Sequence, residues 1–332
     1  MLHVETRAFE APDADLYVEL ARRAFEAVPL SQRQRDTVER VAHLHGSANP
    51  AGRAFVAIAR VDGRGVGHLS GLPAHHLGRD GIRRIGWQVG CFVVDPAVQR
   101  QGVGRGLVEA LSRELAARTA DFVYTFPNPR SLPVFERHGY QPVGRAATRI
   151  ALGRRHRAER SGAVLLAGGF EARPIDAAAA RTVLAALDAA PTEPGNFVRD
   201  PAWFAWRFLE PAVAPAYRFA HLVHPRHGQH VVAIAEHAFR GVRFSVLADA
   251  CPALSARTLP GAVRCAASLG ASRFVYFTTN LPAISTGFTA LGSRIPARLD
   301  PRPVEFLALP GDSIDVRELG TASILTADWM GF

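Results

Sequence analysis

The chain contains no lysine; all 39 of its basic residues are arginine. A phosphate loop of the Gly-Lys-Ser/Thr kind is therefore excluded, because its lysine cannot be supplied. Cysteine is nearly as scarce. Cys91, Cys251 and Cys265 are too few and too scattered for a disulfide framework or a zinc site, which points to a reduced, cytoplasmic setting and to chemistry without a metal. No apolar run approaches the roughly 20 residues a membrane span needs. The opening stretch MLHVETRAFEAPDADL has early acids where a secretory leader would have an apolar segment. The expectation is a chain that meets no membrane.

A formal net charge of +9 suits an acidic ligand. The arginines are spread along both halves, without the basic block and interleaved aromatics of a nucleic-acid surface, so no nucleic-acid partner is expected. A length of 332 residues with 48% hydrophobic content suits two cored domains. GRRHRAERSG (153–162) reads as the linker, dividing a first domain, 1–152, from a second, 163–332.

Periodicity and turn signals give the first half the order β-α-α-β-β-β-α-β-α-β, a mixed α/β sheet with helices on its faces. Strands are expected at 3–9, 83–94 and 121–126, and helices at 13–27, 31–46 (capped by Ser31), 105–118 and 130–139. A hairpin is expected within 53–72, turning at Asp62-Gly63. After the linker the pattern restarts, with a strand at 170–175, a helix at 176–190 and three strands within 217–250. FVYFTTN (274–280) echoes FVYTFPN (122–128), and each is followed by Phe-x-x-x-Gly, Phe135 to Gly139 and Phe288 to Gly292. This reads as a degenerate internal duplication.

FVVDPAVQRQGVGRG (92–106) packs Gly102, Gly104 and Gly106 between an apolar strand and a helix. A chain accepts that loss of backbone entropy where it bends tightly or lets something approach its backbone. The third glycine comes one residue early for a dinucleotide fingerprint, and no βαβ unit with a ribose-binding acid follows. Unpaired amides at a helix N-terminus, backed by the helix dipole, form an anion site. Arg100 and Arg105 flank it.

Gln99-x-x-Gly102-x-Gly104, following a strand and Asp95-Pro96, resembles the signature of the GNAT acetyltransferase superfamily. FPNPRSLPVFERHGYQPVG (126–144) resembles its second signature. The resemblance is strong over 1–152 and rests on element order over 163–332, implying two GNAT-like domains in tandem. It implies acetyl-CoA as co-substrate, cradled by Phe92, Val93, Val94, Gln99, Arg100, Gln101, Gly102, Val103, Gly104, Arg105 and Asn128. The amide of Phe92 or a neighbour would polarise the thioester carbonyl. The pantetheine arm would lie along Val93 and Val94, bonded by Asn128, whose other reading is a cap for the following helix.

Many members place a carboxylate base eleven residues before the motif glutamine, and a tyrosine acid in the late helix. This chain has Gln88 and Phe135 at those positions. Substitutes are Tyr124 and Tyr140, the latter read as a packing aromatic; His68, His75 and His76, read as exposed loop residues on or after the third strand; and Cys91, read as buried. The terminal carboxylate of Phe332, anchored by Trp329 and Met330, is a further candidate. The second half lacks the glycine signature and reads as a cofactor-free copy that shapes the acceptor pocket. Within it, Trp203, Phe204, Trp206 and Phe208 line that pocket or form interdomain core. The implied activity is N-acyl transfer to a small amine such as an amino sugar or amino acid derivative. Alternatives are a larger acyl-CoA or an acyl-carrier protein, and a non-catalytic acyl-CoA-binding module.

Overall fold

A computed structural model describes residues 2–24, 37–118, 121–152, 163–166, 168–187, 194–239, 242–279, 304–309 and 319. The expected linker 153–162, Ser31, Trp329, Met330 and Phe332 lie outside them. Among the described residues no helix is long and apolar enough to cross a membrane.

The first half runs β1 (Leu2–Ala8), α1 (Ala11–Ala24), α2 (Val38–His45), β2 (Phe55–Val61), β3 (Arg64–Leu77), β4 (Arg83–Val94), α3 (Val103–Ala117), β5 (Phe122–Thr125), α4 (Leu132–Arg137) and β6 (Gln141–Leu152). This is the expected order. Asp62 (φ 50°) and Gly63 (φ 81°) make the β2–β3 turn, both left-handed as a two-residue hairpin of matching twist requires. Thr37 caps α2, its hydroxyl accepting from the Arg40 amide; the expected cap at Ser31 lies outside the described residues.

The second half runs β7 (Val164–Leu166), β8 (Phe170–Ile175), α5 (Ala177–Ala186), β9 (Asn196–Phe197), α6 (Pro201–Phe204), β10 (Tyr217–His224), β11 (Gly228–Phe239), β12 (Val242–Cys251), α7 (Leu259–Leu269), β13 (Phe274–Thr279) and β14 (Val304–Leu309). The anticipated echo is structural. β13 runs parallel to β12 as β5 runs parallel to β4, with α7 and α3 as the respective crossovers.

The strands join in the order β1-β2-β3-β4-β5-β14-β6-β13-β12-β11-β10-β8-β7, with β9 attached to β3. Tandem duplication alone does not anticipate this interleaving. β14, late in the sequence, sits between β5 and β6 of the first half, and β6 in turn pairs with β13. The exchange removes two exposed sheet edges, which would otherwise present unpaired amides and carbonyls. Leu107, Leu111 and Leu115 of α3 pack on one face of the first sheet with Leu69, Val89 and Phe135. Tyr17, Val18 and Leu20 of α1 cover the other with Val56, Ile58 and Val93.

Candidate functional site

Strand β4 is paired with β5 from Gly86–Phe122 to Val89–Thr125, and there the pairing stops. β4 continues to Val94, whereas β5 ends at Thr125, whose hydroxyl donates to the Val89 carbonyl at 2.9 Å. Beyond that point the sheet is forked, and Gly90 to Val94 have no β5 partner on that edge. On its other edge β4 carries a bulge. His68 faces Val93 and Ser70 faces Gly90, so Leu69 stands opposite both Cys91 and Phe92. Cys91 has φ 51°, a conformation that is strained for a residue with a side chain and that recurs at functional sites.

Buried side chains brace the bulge. His68 donates from Nδ1 to the Cys91 carbonyl at 3.1 Å. The Ser70 hydroxyl lies 3.3 Å from the Gly90 carbonyl and 3.0 Å from His45 Nε2, while His45 Nδ1 donates to the Val41 carbonyl at 2.9 Å. Burial, reinforced by the neighbouring His68 and Arg207, pushes His45 down to about 3. Burial likewise pushes His68 down to about 4. Both imidazoles are neutral near pH 7, so they position the strand and carry no charge. The loop reading of the histidines is corrected: β3 extends to Leu77, and His68 and His76 are fully buried within it.

Past Val94 the chain turns into the glycine segment. Asp95 accepts from the Ala97 amide and is clamped by Arg23 at 3.1 Å and Arg64 at 3.0 Å. Gln99 and Gln101 donate to the Val94 and Ala97 carbonyls, so both hold the loop itself. Arg100 (φ 67°) and Gly102 (φ 85°) take left-handed conformations just before α3. Gly102 caps α3 with no side-chain hydrogen bond, and the first turn contains no acid. The first helical amides are therefore left without intrahelical partners, at the positive end of a 15-residue helix. Arg100 and Arg105 are exposed on either side.

The glycines serve different ends. A Cβ at Gly102 would meet no atom within 4 Å, so that position is open and needs glycine for its φ. A Cβ at Gly104 would lie 3.0 Å from Phe92 Cζ, so this glycine also makes room for the ring below it. Phe92 packs edge-on against Phe135, which commits its ring to the core beneath the turn. This uncapped, acid-free and sterically open turn fits a pyrophosphate. Asn128 Oδ1 accepts from the Arg130 and Ser131 amides, so the oxygen has the turn-forming role and the amide NH₂ remains for a ligand.

The second half closes its corresponding helix end. A Cβ at Gly261 near the start of α7 would lie 2.6 Å from the Phe170 ring, and Pro260 occupies the first turn.

Beside the fork lies a cavity of about 130 Å³. The first half contributes His45, His75, Gln88, Cys91 and Tyr124 to its wall, and the second contributes Phe197, Arg199, Trp203, Trp206 and Arg207. Pairing of β9 with His76 and Leu77 of β3, and the Val198 amide donated to the His75 carbonyl, carry that second-half segment across. Trp203 and Trp206 thus line the cavity, while Phe204 and Phe208 are interior core. Cys91 is half-buried and borders the cavity, in contrast to its reading as a buried residue. Phe135 is 2% exposed among core side chains. Tyr140 shares a buried hydrogen bond with Ser112, and burial raises it to about 12, which keeps it a packing residue. Among the described residues no cluster of three His, Cys, Asp or Glu is arranged to hold a metal.

Residues 15–140 match the acetyltransferase (GNAT) family. No curated protein matches the chain. Among solved structures, the chain is similar to a tandem GNAT protein from the clavulanic acid biosynthesis pathway over 92% of its length and 98% of that protein's, with TM-score 0.57 and 17% identity. A GCN5-related N-acetyltransferase from Anabaena variabilis is similar over 92% of this chain and 72% of its own, with TM-score 0.56 and 12% identity. Another from Kribbella flavida is similar over 92% and 71%, with TM-score 0.54 and 15% identity. At such identities the likeness is one of fold.

Proposed function

We propose, from the match of residues 15–140 to the GNAT acetyltransferase family, that the chain transfers the acetyl group of acetyl-CoA to the nitrogen of a small amine. The observation that carries this reading is the uncapped glycine turn at the mouth of a forked sheet, with a cavity alongside. The amides of Val103, Gly104 and Arg105 hold the pyrophosphate, with Arg100 and Arg105 as outer cations and Gln99 and Gln101 fixing the loop. Val93, Val94 and the Asn128 amide border the arm's path. Acetyl-CoA supplies, when bound, an acyl group activated as a thioester.

This chain's residues then orient and polarise. The bulge at Cys91, pinned by His68 and Ser70, aims backbone amides near Phe92 into the fork, where an N–H stabilises charge developing on a carbonyl oxygen. Gln88 lines the acceptor cavity and cannot take a proton. His45 is locked neutral with both ring nitrogens engaged. The amine must therefore arrive uncharged or lose its proton to water, and rate comes mainly from positioning.

Release of free thiol from acetyl-CoA across an amine panel tests the reaction, and calorimetric titration should give one coenzyme site per chain. Coenzyme binding without thiol release from any amine would favour a binding module, a reading supported by the non-titrating Gln88 and Phe135. Gln88→Ala is expected to lower kcat/KM by about tenfold or less, the loss of one orienting hydrogen bond. The pH profile should rise until the acceptor amine is deprotonated. A fall of about a hundredfold or more would make Gln88 essential to proton transfer and overturn the positioning account.

A further inference from the structure

We propose that the acceptor is an arylamine, a weakly basic amine on a single aromatic ring, with a hydrogen-bond acceptor on that ring for the Trp206 indole N–H; this rests on the acyl-transfer reading and names its substrate class. Trp206 lines the cavity beside the fork and is only 7% exposed, and its indole N–H is buried without a hydrogen-bond partner. A donor left unsatisfied in the interior is costly, and a ligand acceptor recovers that cost. The residue is also held in place from the first half. His43 Nε2 donates to the Trp206 carbonyl at 2.8 Å, so the indole is anchored before any ligand arrives.

The shape of the cavity points to the ring. Tyr124, Phe197, Trp203 and Trp206 give its wall aromatic surface, to which Leu44 and Leu72 add aliphatic surface. The Phe197 and Tyr124 rings pack at 4.9 Å between centroids, which joins the two halves at this wall. A volume of about 130 Å³ is close to the roughly 150 Å³ that admits benzene in an engineered cavity. The polarity of the wall points to a neutral nitrogen. Among the described residues no acid lines the cavity, and the arginines that do, Arg199 and Arg207, offer an ammonium no acceptor. An ammonium would lose its water here and gain no carboxylate, which is costly. His45 has both ring nitrogens engaged and Gln88 cannot take a proton. An arylamine needs no base to start, because its lone pair is shared with the ring and it is uncharged at neutral pH. That lone pair forms the C–N bond as the C–S bond breaks, and the proton the nitrogen sheds ends on the departing thiolate by way of water. The cofactor-free half accordingly contributes selectivity.

The test compares aniline with 3-aminopyridine and 4-methoxyaniline, and with benzylamine and cyclohexylamine, as acceptors for wild-type protein and acetyl-CoA, read as thiol release at neutral pH. The pyridine nitrogen adds an acceptor and no volume, and it withdraws electrons, so intrinsic nucleophilicity favours aniline. The expected result is a kcat/KM for at least one of the two acceptor-bearing rings about fivefold or more above that of aniline, the effect of one hydrogen bond. Trp206→Phe, which removes the N–H and keeps an aromatic ring, should bring that ratio toward one, with a thermal melt to show that the variant folds. Benzylamine and cyclohexylamine, cations of similar size, should fall below aniline. Calorimetry on wild-type protein loaded with coenzyme A, with acetanilide, 3-acetamidopyridine and N-benzylacetamide, reads the ring acceptor without turnover. Should no amine release thiol, the acyl-transfer reading fails, while tighter binding of 3-acetamidopyridine than of acetanilide still supports the donor role of Trp206. Neither ring acceptor exceeding aniline, an advantage that survives Trp206→Phe, or a preference for the cationic amines would overturn the inference.

Discussion

Gly102→Asp is expected to weaken coenzyme A binding by about a hundredfold or more, while Gly102→Asn costs far less. The two side chains have nearly the same shape, and both tolerate the left-handed conformation better than other non-glycine residues. A Cβ at Gly102 meets nothing within 4 Å, so neither variant is blocked from folding. What separates them is one negative charge at the head of α3, where the turn has neither a capping side chain nor an acid. Like charges about 4 Å apart cost about 4 kcal/mol at an effective dielectric of about 20. Salt reduces this, leaving about 3 kcal/mol, which is about a hundredfold. Calorimetric titration with coenzyme A, alongside a thermal melt of each variant, reads the difference. Equal affinities would mean that the pyrophosphate lies elsewhere. Gly104→Val is a less direct probe, because its Cβ would already press on Phe92 at 3.0 Å.

Turn chemistry was what the sequence made legible. Asp62-Gly63 and Gly102 each demand a backbone few residues adopt, so the hairpin and the turn before α3 could be located from local identity alone. Non-local pairing was not legible. Nothing in VEFLAL (304–309) says that it will lie between β5 and β6, because a strand's neighbours depend on which sheet edges the rest of the fold leaves open. The bulge was hidden for the same reason: it arises where β3 and β4 fall out of step, and Cys91 bears no mark of its φ. His68 and His76 read as loop because a polar residue in an apolar stretch suggests exposure. His68 is accommodated instead by a carbonyl that the bulge turns toward it. The aromatic run of the second half was visible as pocket material, but the opposition of Arg199 to Asp249, 50 positions away, required the fold.

The same buried imidazoles make the fold sensitive to acid. His45 and His68 titrate near 6.5 when exposed and are held neutral down to about 3 and about 4, with burial the largest cause in each. Below about pH 6.5 the unfolded chain therefore takes up protons that the native chain does not, and stability falls as pH falls; above that value the two states bind alike and the contribution is flat. Each pH unit costs about 1.4 kcal/mol per histidine. Between about pH 7 and pH 5 the pair thus removes about 4 kcal/mol, a large share of the roughly 5–15 kcal/mol that holds a typical domain together. His230 is displaced in the same direction by burial and adds to the slope. Urea denaturation at the two pH values measures the loss, and His68→Gln, which cannot titrate, should remove about half of the part due to the pair. Wild-type stability that stays level across the interval would show that these rings can be protonated in place. The bracing of the β4 bulge would then not depend on neutral imidazoles. If stability falls as expected, the groups that hold Gly90 and Cys91 in register also set the acid limit of the molecule.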